Sequence, residues 1–192
     1  MSMNLYLDTE FTGLRQNATL ISLALVAEDG REFYAEFTDH DRQQCDDWIR
    51  QNVLAHSRWL REDTAIPAPG QWREGVLTLV LGNREQVRDA LVDWLAQFAA
   101  IEIWADCPVW DWLLLCELFG GAFGLPKNIY YLPFDLVTLF KAKGLDPDMD
   151  RVEFAGWKLG KGKDGAQVRH NALCDARLAR ACHEKLTDLP CG

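Results

Sequence analysis

Two carboxylates lie one residue apart at the end of the first apolar stretch of the chain. Asp8 and Glu10 follow the alternating apolar residues Leu5 and Leu7, which predict a buried β-strand. Side chains at i and i+2 of a strand point to the same face, about 7 Å apart along the chain. Two like charges at that spacing are costly unless a cation lies between them. A bound divalent metal ion is one explanation, and a pair of solvated residues at a strand exit is the other.

A third carboxylate, Asp111, falls in the first turn of a predicted helix. That helix begins at Pro108, shortly after the predicted strand 101–105. Binding sites in α/β proteins gather where strands end and the adjoining helices begin, so Asp111 is a candidate metal ligand. The alternative is that Asp111 only complements the dipole of its own helix.

The last predicted helix, 172–186, carries a fourth carboxylate, Asp175, among apolar neighbours. A carboxylate on a packed helix requires a partner. His170 lies five residues upstream of Asp175, and a histidine can accept a proton near neutral pH. His170 is therefore a candidate general base, with a surface histidine in a loop as the alternative. The remaining histidines are interpreted as surface residues: His40, His56 and His183.

The elements that must position these residues change in type along the chain. The stretches 18–27 and 31–37 are predicted strands that form an antiparallel meander with the first strand. Further strands are predicted at 101–105 and 129–132, and helices at 39–60, 84–99, 108–119, from Asp135 onwards and at 172–186. The apolar run 76–81 fits either type, and 144–169 is predicted to be a connection rich in glycine and lysine. A meander followed by strand–helix alternation predicts an α/β fold, a mixed sheet with helices packed on it.

The length and composition are those of an ordinary globular protein. The chain has 192 residues, 48% hydrophobic and 26% charged, which predicts a single domain over 1–192. No run of about 18 apolar residues predicts a transmembrane helix, and no secretory signal is visible. The six cysteines form no CxxC pair, which favours reduced thiols. A cytoplasmic location is therefore expected.

The net charge of −9 argues against a protein that holds duplex DNA by bulk electrostatics. It does not exclude an enzyme that acts on nucleic acids. Divalent cations in a local site allow an acidic protein to approach phosphate groups.

Three short motifs, taken together and in this order, resemble the DnaQ-like 3′–5′ exonuclease superfamily in its DEDDh branch. The stretch Asp8-Thr9-Glu10-Phe11-Thr12-Gly13-Leu14 resembles the first motif of that superfamily, 106–111 the second and 170–175 the third. The resemblance spans roughly residues 4–186. Within the superfamily, Trp104-Ala105-Asp106 followed by Trp110-Asp111 is similar to the small bacterial 3′–5′ exoribonuclease group known from mycobacteria. The resemblance implies an RNase H-like fold, with an antiparallel three-strand meander, parallel strands and flanking helices.

The resemblance also implies a role for each acid. Asp8, Glu10 and Asp175 would bind one divalent ion, and Asp8 and Asp111 a second, with His170 as the general base. Oxygen ligands favour Mg²⁺ or Mn²⁺ over zinc. The implied reaction is release of nucleoside 5′-monophosphates from the 3′ ends of single-stranded or short RNA, and the implied assembly is a homodimer.

Residues beside the motifs are candidates for binding the substrate. The resemblance implies that the backbone of Thr12 and Gly13 meets the 3′-terminal nucleotide and that Leu14 wedges against its base. Phe11, Trp110 and Trp157 could stack on unpaired bases, with a role in the core as the alternative for both tryptophans. Trp48, Trp94 and Trp104 are interpreted as core residues. The cluster Lys158, Lys161, Lys163 and Arg169 is interpreted either as a guide for phosphates or as a solvated loop.

One acid departs from the family pattern. Position 106 is Asp, where Asn is common, so Asp106 is a second candidate for the catalytic acid or a substrate contact. The spacing to the Trp110-Asp111 pair favours Asp111 as the catalytic residue.

Two other functions remain open from the sequence. A DNA exonuclease of the proofreading or repair type would use the same fold and the same residues. A scaffold without activity that binds nucleic acid would be expected to lack at least one of the four acids, all of which are present.

Overall fold

The computed structural model describes residues 2–158 and 169–190, which form one mixed sheet with helices on both faces. The strands are β1 Met3–Phe11, β2 Leu20–Ala27, β3 Glu32–Phe37, β4 Gly70–Glu74, β5 Leu77–Gly82, β6 Ile101–Ala105 and β7 Phe134–Asp135. The helices are α1 Asp47–Asn52, α2 Arg84–Leu95, α3 Val109–Leu118, α4 Leu136–Ala142, α5 Arg151–Ala155 and α6 Ala172–Asp188. Short 3₁₀ turns occupy Arg42–Gln44, Leu54–His56 and Ala122–Gly124.

The strand order in the sheet is β4-β5-β3-β2-β1-β6-β7. β1, β2 and β3 pair antiparallel, whereas β6 pairs parallel to β1 and to β7, and β5 pairs parallel to β3. This arrangement confirms the predicted α/β fold, with an antiparallel meander extended by parallel strands. It also puts β1, the strand that carries Asp8 and Glu10, between β2 and β6.

The alternation of side chains along β1 divides the core into two layers. Leu5 and Leu7 are buried on the face covered by α2 and α3. Tyr6 is buried on the opposite face, where its hydroxyl lies 2.8 Å from Nδ1 of His183 on α6. Because strand residues alternate between faces, Asp8 and Glu10 share the α6 face with Tyr6, and Thr9 shares the α3 face with Leu7.

The predicted helix 39–60 is wrong as a continuous element. The chain forms two 3₁₀ turns and the six-residue helix α1 in this stretch. Asp41 accepts a hydrogen bond from the N–H of Gln43, and Asp46 accepts one from the N–H of Ile49. Each aspartate thus caps a new short element, as expected for side chains that compete with helical hydrogen bonds.

The predicted strand 129–132 is also wrong. Only Ile129 makes a bridge, to Ile101, and the regular pairing with β6 occurs at Phe134–Asp135. Tyr130, Tyr131 and Leu132 are exposed. The apolar run therefore reflects exposed aromatic side chains and not a buried strand.

Three further elements were not predicted, β4, β5 and α5. Most of the run 76–81 belongs to the strand β5, which begins at Leu77 and forms a hairpin with β4 through a turn in which Gly75 has a φ of +61°. The connection 144–169 contains the short helix α5, capped by Asp150, which accepts a hydrogen bond from the N–H of Glu153. Among the described residues, no helix combines the length and the apolar character needed to cross a bilayer. The single domain over 1–192 stays a prediction.

Candidate active site

Three of the four predicted acids converge at the end of β1. Asp8, Glu10 and Asp175 each offer a carboxylate oxygen, and these oxygens lie within 4.8 Å of one another. All three side chains are half-buried. The contact follows from the fold, because α6 packs across the face of β1 on which Asp8 and Glu10 project.

Asp111 reaches the same place from the opposite side of β1. It is buried in the first turn of α3, and its Oδ1 accepts hydrogen bonds from the N–H of Thr9 at 2.8 Å and from the hydroxyl of Thr9 at 2.7 Å. One carboxylate oxygen is thus used to hold α3 against β1. The other oxygen is left for a ligand, an arrangement in which supporting hydrogen bonds orient a metal-binding carboxylate.

Asp175 is held in a similar way by the segment that precedes α6. Its Oδ2 accepts hydrogen bonds from the N–H groups of His170 at 2.8 Å and of Asn171 at 3.3 Å. Asn171 in turn caps α6 by accepting a hydrogen bond from the N–H of Cys174. His170 and Asp175 are five residues apart in the sequence and are in direct contact in the structure.

The acids raise one another's pKa values. Burial, followed by the charges of Asp111, Asp175 and Glu10, raises the pKa of Asp8 well above its usual range. Burial and the neighbouring Asp175 and Asp111 carboxylates raise the pKa of Glu10 to about 8. Burial also raises the pKa of Asp111 and of Asp175, each to about 6.

Such a cluster fits a divalent cation. Within residues 2–158 and 169–190, neither Asp8 nor Glu10 forms an ion pair or accepts a side-chain hydrogen bond that would offset its charge. Close carboxylates without a cation keep protons that they would lose in water. Oxygen donors in this number are the ligands that hard divalent ions prefer.

His170 lies beside the acids in an uncommon backbone conformation. Its φ is +61°, in the left-handed region that residues other than glycine rarely adopt and that clusters at functional sites. Its ring meets the indole of Trp48 edge to face, with centroids 4.9 Å apart. Burial, followed by the charges of Arg169 and His56, lowers the pKa of His170, so the imidazole is neutral at pH 7 and able to accept a proton.

A cleft of about 540 Å³ joins these groups to the surface. Its wall contains all five predicted catalytic residues, Asp8, Glu10, Asp111, His170 and Asp175. The predicted substrate residues Phe11, Gly13, Leu14 and Trp110 also line it. The rings of Phe11 and Trp110 lie 6.3 Å apart, and Leu14 is 74% exposed at the mouth.

The first motif shows two different uses of adjacent residues. Thr12 is fully buried, and its hydroxyl donates a hydrogen bond to Oε1 of Gln44, so its side chain serves the structure of the loop. Gly13 has a φ of +143°, and a Cβ at this position would come within 2.9 Å of the Arg15 guanidinium. The backbone conformation therefore favours glycine here, whereas the guanidinium is the end of a flexible side chain that can move away.

The other predicted substrate residues lie beside the cleft or away from it. Asp106 forms a two-point ion pair with Arg151, at 2.9 and 3.0 Å, and lines an adjoining cavity. Arg169 pairs with Asp150, and Lys158 is exposed. Lys161 and Lys163 lie outside the described residues.

The sequence interpretation missed Trp48 and misplaced two histidines. Trp48 was predicted to be in the core, but it is 53% exposed and lines the cleft against His170. The sequence offers little indication that Trp48 is exposed, because it lies on a helix too short to show which positions form an apolar stripe. His40 and His183 are buried, not on the surface, since the ring of each finds a hydrogen-bonding partner, the carbonyl of Phe37 and the hydroxyl of Tyr6.

Comparisons with known proteins identify the family of this chain. The family model described as "3'-5' exoribonuclease Rv2179c-like domain" matches residues 3–187. Two relatives from Mycobacterium tuberculosis, named 3'-5' exoribonuclease MT2234.1 (strain CDC 1551 / Oshkosh) and 3'-5' exoribonuclease Rv2179c (strain ATCC 25618 / H37Rv), are each 32% identical over 144 residues. The alignment covers 74% of this chain and 76% of each relative. The chain therefore belongs to the Rv2179c-like 3′–5′ exoribonuclease family.

Proposed function

We propose that this protein is a metal-dependent 3′–5′ exoribonuclease that releases nucleoside 5′-monophosphates from the 3′ ends of single-stranded or short RNA. The observation that carries the proposal is the convergence of Asp8, Glu10, Asp111, Asp175 and His170 on one cleft from three separate elements. The names of the family and of its two mycobacterial relatives support RNA as the substrate.

The four acids would hold two divalent ions, Mg²⁺ or Mn²⁺. Asp8, Glu10 and Asp175, whose oxygens already lie within 4.8 Å of one another, provide one site. Asp8 and the second oxygen of Asp111 provide the other. When bound, such ions stabilise the charge of the scissile phosphate and lower the pKa of a water molecule. Hydrogen bonds from Thr9 and from the N–H of His170 keep Asp111 and Asp175 oriented for this task.

His170 would take the proton from the attacking water. A neutral imidazole is the form that accepts a proton, and the surroundings of His170 favour that form. The indole of Trp48 contacts the ring edge to face, and the N–H of His170 donates a hydrogen bond to Asp175.

The walls of the cleft suit an unpaired nucleotide. Phe11, Trp48 and Trp110 offer aromatic surfaces for a base, and the exposed Leu14 can wedge against it. The backbone of Thr12 and Gly13 stays the proposed contact to the terminal nucleotide. Asp106 and Arg169 are each engaged in an ion pair, so either would have to exchange its partner to touch RNA. Lys158 remains a predicted phosphate contact.

Three finer points remain proposals from the sequence. A DNA exonuclease would use the same acids, and the relative rates on RNA and DNA distinguish the two. A homodimer and a cytoplasmic location stay predictions.

The decisive experiment uses RNA and DNA oligomers of one sequence, labelled at the 5′ or the 3′ end, with Mn²⁺ or Mg²⁺. We expect a ladder of 5′-labelled RNA fragments that shorten one nucleotide at a time, and nucleoside 5′-monophosphates as the product. Asp8→Ala should abolish the ladder. Asp93→Asn, a change of an exposed acid on α2 away from the cleft, is the matched control and should retain it. Shortening from the 5′ end, or equal cleavage by Asp8→Ala, would contradict the proposal.

A further inference from the structure

A second cavity of about 590 Å³ adjoins the catalytic cleft. Arg15 and Trp110 line both spaces, so they form the boundary between the two. The second cavity extends along residues 15–20, after β1, to the start of α2 and to Leu113 and Glu117 on α3. A strand whose 3′ end lies at the acids can therefore lead into it.

Two guanidinium groups on the wall of this cavity are free to meet an anion. Arg15, Arg42 and Arg84 are the arginines whose guanidinium forms no ion pair or hydrogen bond with the described part of the chain. Arg15 and Arg84 both line the second cavity. Two arginines without a partner among the described residues, both at one cavity, are unusual in this protein, because its net charge is −9 and most of its arginines pair with a carboxylate.

The backbone at the start of α2 is not available for the same task. The N–H of Arg84 donates to both carboxylate oxygens of Asp39, at 3.1 and 3.0 Å, and Asn83 and Gln86 form a reciprocal capping box. An anion in this cavity would therefore be bound by the side chains of Arg15 and Arg84 and not by the end of the helix.

His40 is a buried residue, 6% exposed, in the wall of the same cavity. Nδ1 lies 2.7 Å from the carbonyl oxygen of Phe37 and donates to it, which leaves Nε2 as an acceptor, and Nε2 has no partner among the described residues. Nε2 is itself closed to solvent, so a ligand in the cavity does not reach it, and the anion site rests on the two arginines.

The cavity on the other side of the acids offers less to a phosphate. It is lined by Arg151 and Arg169, but these pair with Asp106 and Asp150. Asp8, Asp148 and Asp175 add further negative charge to its wall, whereas the cavity of Arg15 and Arg84 has two carboxylates in its wall, Asp39 and Glu117. An incoming strand of negative charge would therefore favour the side of Arg15 and Arg84.

We propose that the cavity of Arg15 and Arg84 binds the phosphodiester backbone of the nucleotides upstream of the one that is removed. Arg15, which borders both spaces, meets the phosphate nearer the cleavage site, and Arg84 meets one farther upstream. The proposal rests on the proposed exoribonuclease function and deepens it, because it predicts that longer RNA is bound better than a dinucleotide.

The test is the dependence of cleavage on RNA length in Arg84→Gln. We expect the ratio of kcat/KM on an octanucleotide to kcat/KM on a dinucleotide to fall about tenfold, since one charge-assisted hydrogen bond to phosphate is lost. The slope of log(kcat/KM) against log[salt] for the octanucleotide should become less steep by about 0.7. Arg88→Gln, on the same helix and paired with Asp89 outside the cavity, is the matched control and should change neither quantity.

Two outcomes would overturn the proposal: an equal loss at every length, or a ratio and a salt slope the same as those of Arg88→Gln. A parallel measurement separates this failure from failure of the proposed function. Fluorescence anisotropy of a labelled octanucleotide should show about tenfold weaker binding by Arg84→Gln than by Arg88→Gln, whether or not the RNA is cleaved. If wild-type protein binds the RNA in this way but cleaves nothing, the enzymatic proposal fails and the site stands. If Arg84→Gln binds as well as the control, the site fails.

Discussion

Strands β1 and β3 of the same sheet carry acidic pairs with opposite surroundings. Asp8 and Glu10 on β1 face other carboxylates, with no cation or hydrogen-bond donor from the described residues to offset them. Glu32 and Glu36 on β3 are more deeply buried, and both are fully engaged. Glu32 accepts two hydrogen bonds from the Arg177 guanidinium, at 2.7 and 2.5 Å.

Glu36 shows how a buried carboxylate supports the fold. It accepts hydrogen bonds from the hydroxyl of Tyr34 at 2.6 Å and from the N–H groups of Arg58, Trp59 at 2.9 Å and Leu60 at 3.1 Å. Burial raises the pKa of Glu36, while these four donors act in the opposite direction. Glu36 thereby anchors the loop that follows the Leu54–His56 turn.

The difference teaches that the partner, and not the residue type, decides the role of a buried acid. The hydrogen-bond donors around Glu36 stabilise its charge, and these contacts stabilise the fold. The absence of such donors around Asp8 and Glu10 leaves a local cost that folding has to offset elsewhere, and this is typical of a site kept ready for a ligand. Changes of each acid to its isosteric amide should therefore have opposite effects.

The largest expected effect is on activity in Asp8→Asn. We expect kcat to fall by about 10³-fold or more, because a ligand to both proposed ions is altered. The stability of the metal-free protein should rise, with a Tm about 2–4 °C higher for each kcal/mol of repulsion that is relieved. Wild-type protein should gain thermal stability on addition of Mn²⁺, and Asp8→Asn should gain little. A lower Tm for metal-free Asp8→Asn would contradict the comparison.

Glu36→Gln should have the opposite effects, a loss of stability with little change in kcat. The amide keeps one acceptor but points N–H groups at backbone donors, which should cost about 2–3 kcal/mol of the free energy of unfolding. Denaturant melts measure the loss. The kcat of the folded protein should change less than twofold, because Glu36 does not line the cleft. A large loss of kcat with unchanged stability would show that the two acidic pairs are not distinct in role.

The smallest expected effect is a dependence of the stability of the metal-free protein on pH, caused by Glu10. The pKa of Glu10 is raised to about 8, so the folded protein binds this proton more tightly than the unfolded chain, in which the pKa is about 4.3. The free energy of unfolding should therefore fall as pH rises from 6.5 to 8. Burial lowers the pKa values of His40 and His183, so near pH 6.5 the unfolded chain binds protons that the folded protein does not, and both histidines oppose this decrease at the lower end of the range.

Thermal melts at pH 6.5 and pH 8 in the presence of a chelator should show a decrease of a few degrees for wild type. Saturating Mn²⁺ should reduce or reverse that decrease, since a bound cation replaces the proton. A Tm that increases between these two pH values in the metal-free protein would rule out the strained acidic cluster.

Local patterns were sufficient for the elements around β1. The alternation at Leu5 and Leu7 and the strand after Ala18 are confirmed as β1 and β2. The helix predicted from Asp135 onwards is confirmed as α4, which Asp135 caps. Prediction failed where local signals competed. Asp41 and Asp46 divide the stretch 39–60, and the exposed residues Tyr130–Leu132 imitate a buried strand.

The sequence by itself determined that Asp8 and Glu10 share one face of β1, because the period of two along a strand depends only on the order of residues. It also determined the type of chemistry, since carboxylates with a nearby histidine are suited to metal ions and proton transfer. Only the tertiary structure decided which acids meet. Asp111 accepts a hydrogen bond from Thr9, and Asp106 forms an ion pair with Arg151. Trp48 is exposed and contacts His170 instead of packing in the core. These outcomes depend on contacts between residues about 45 to 120 positions apart, which side-chain periodicity within one element does not encode.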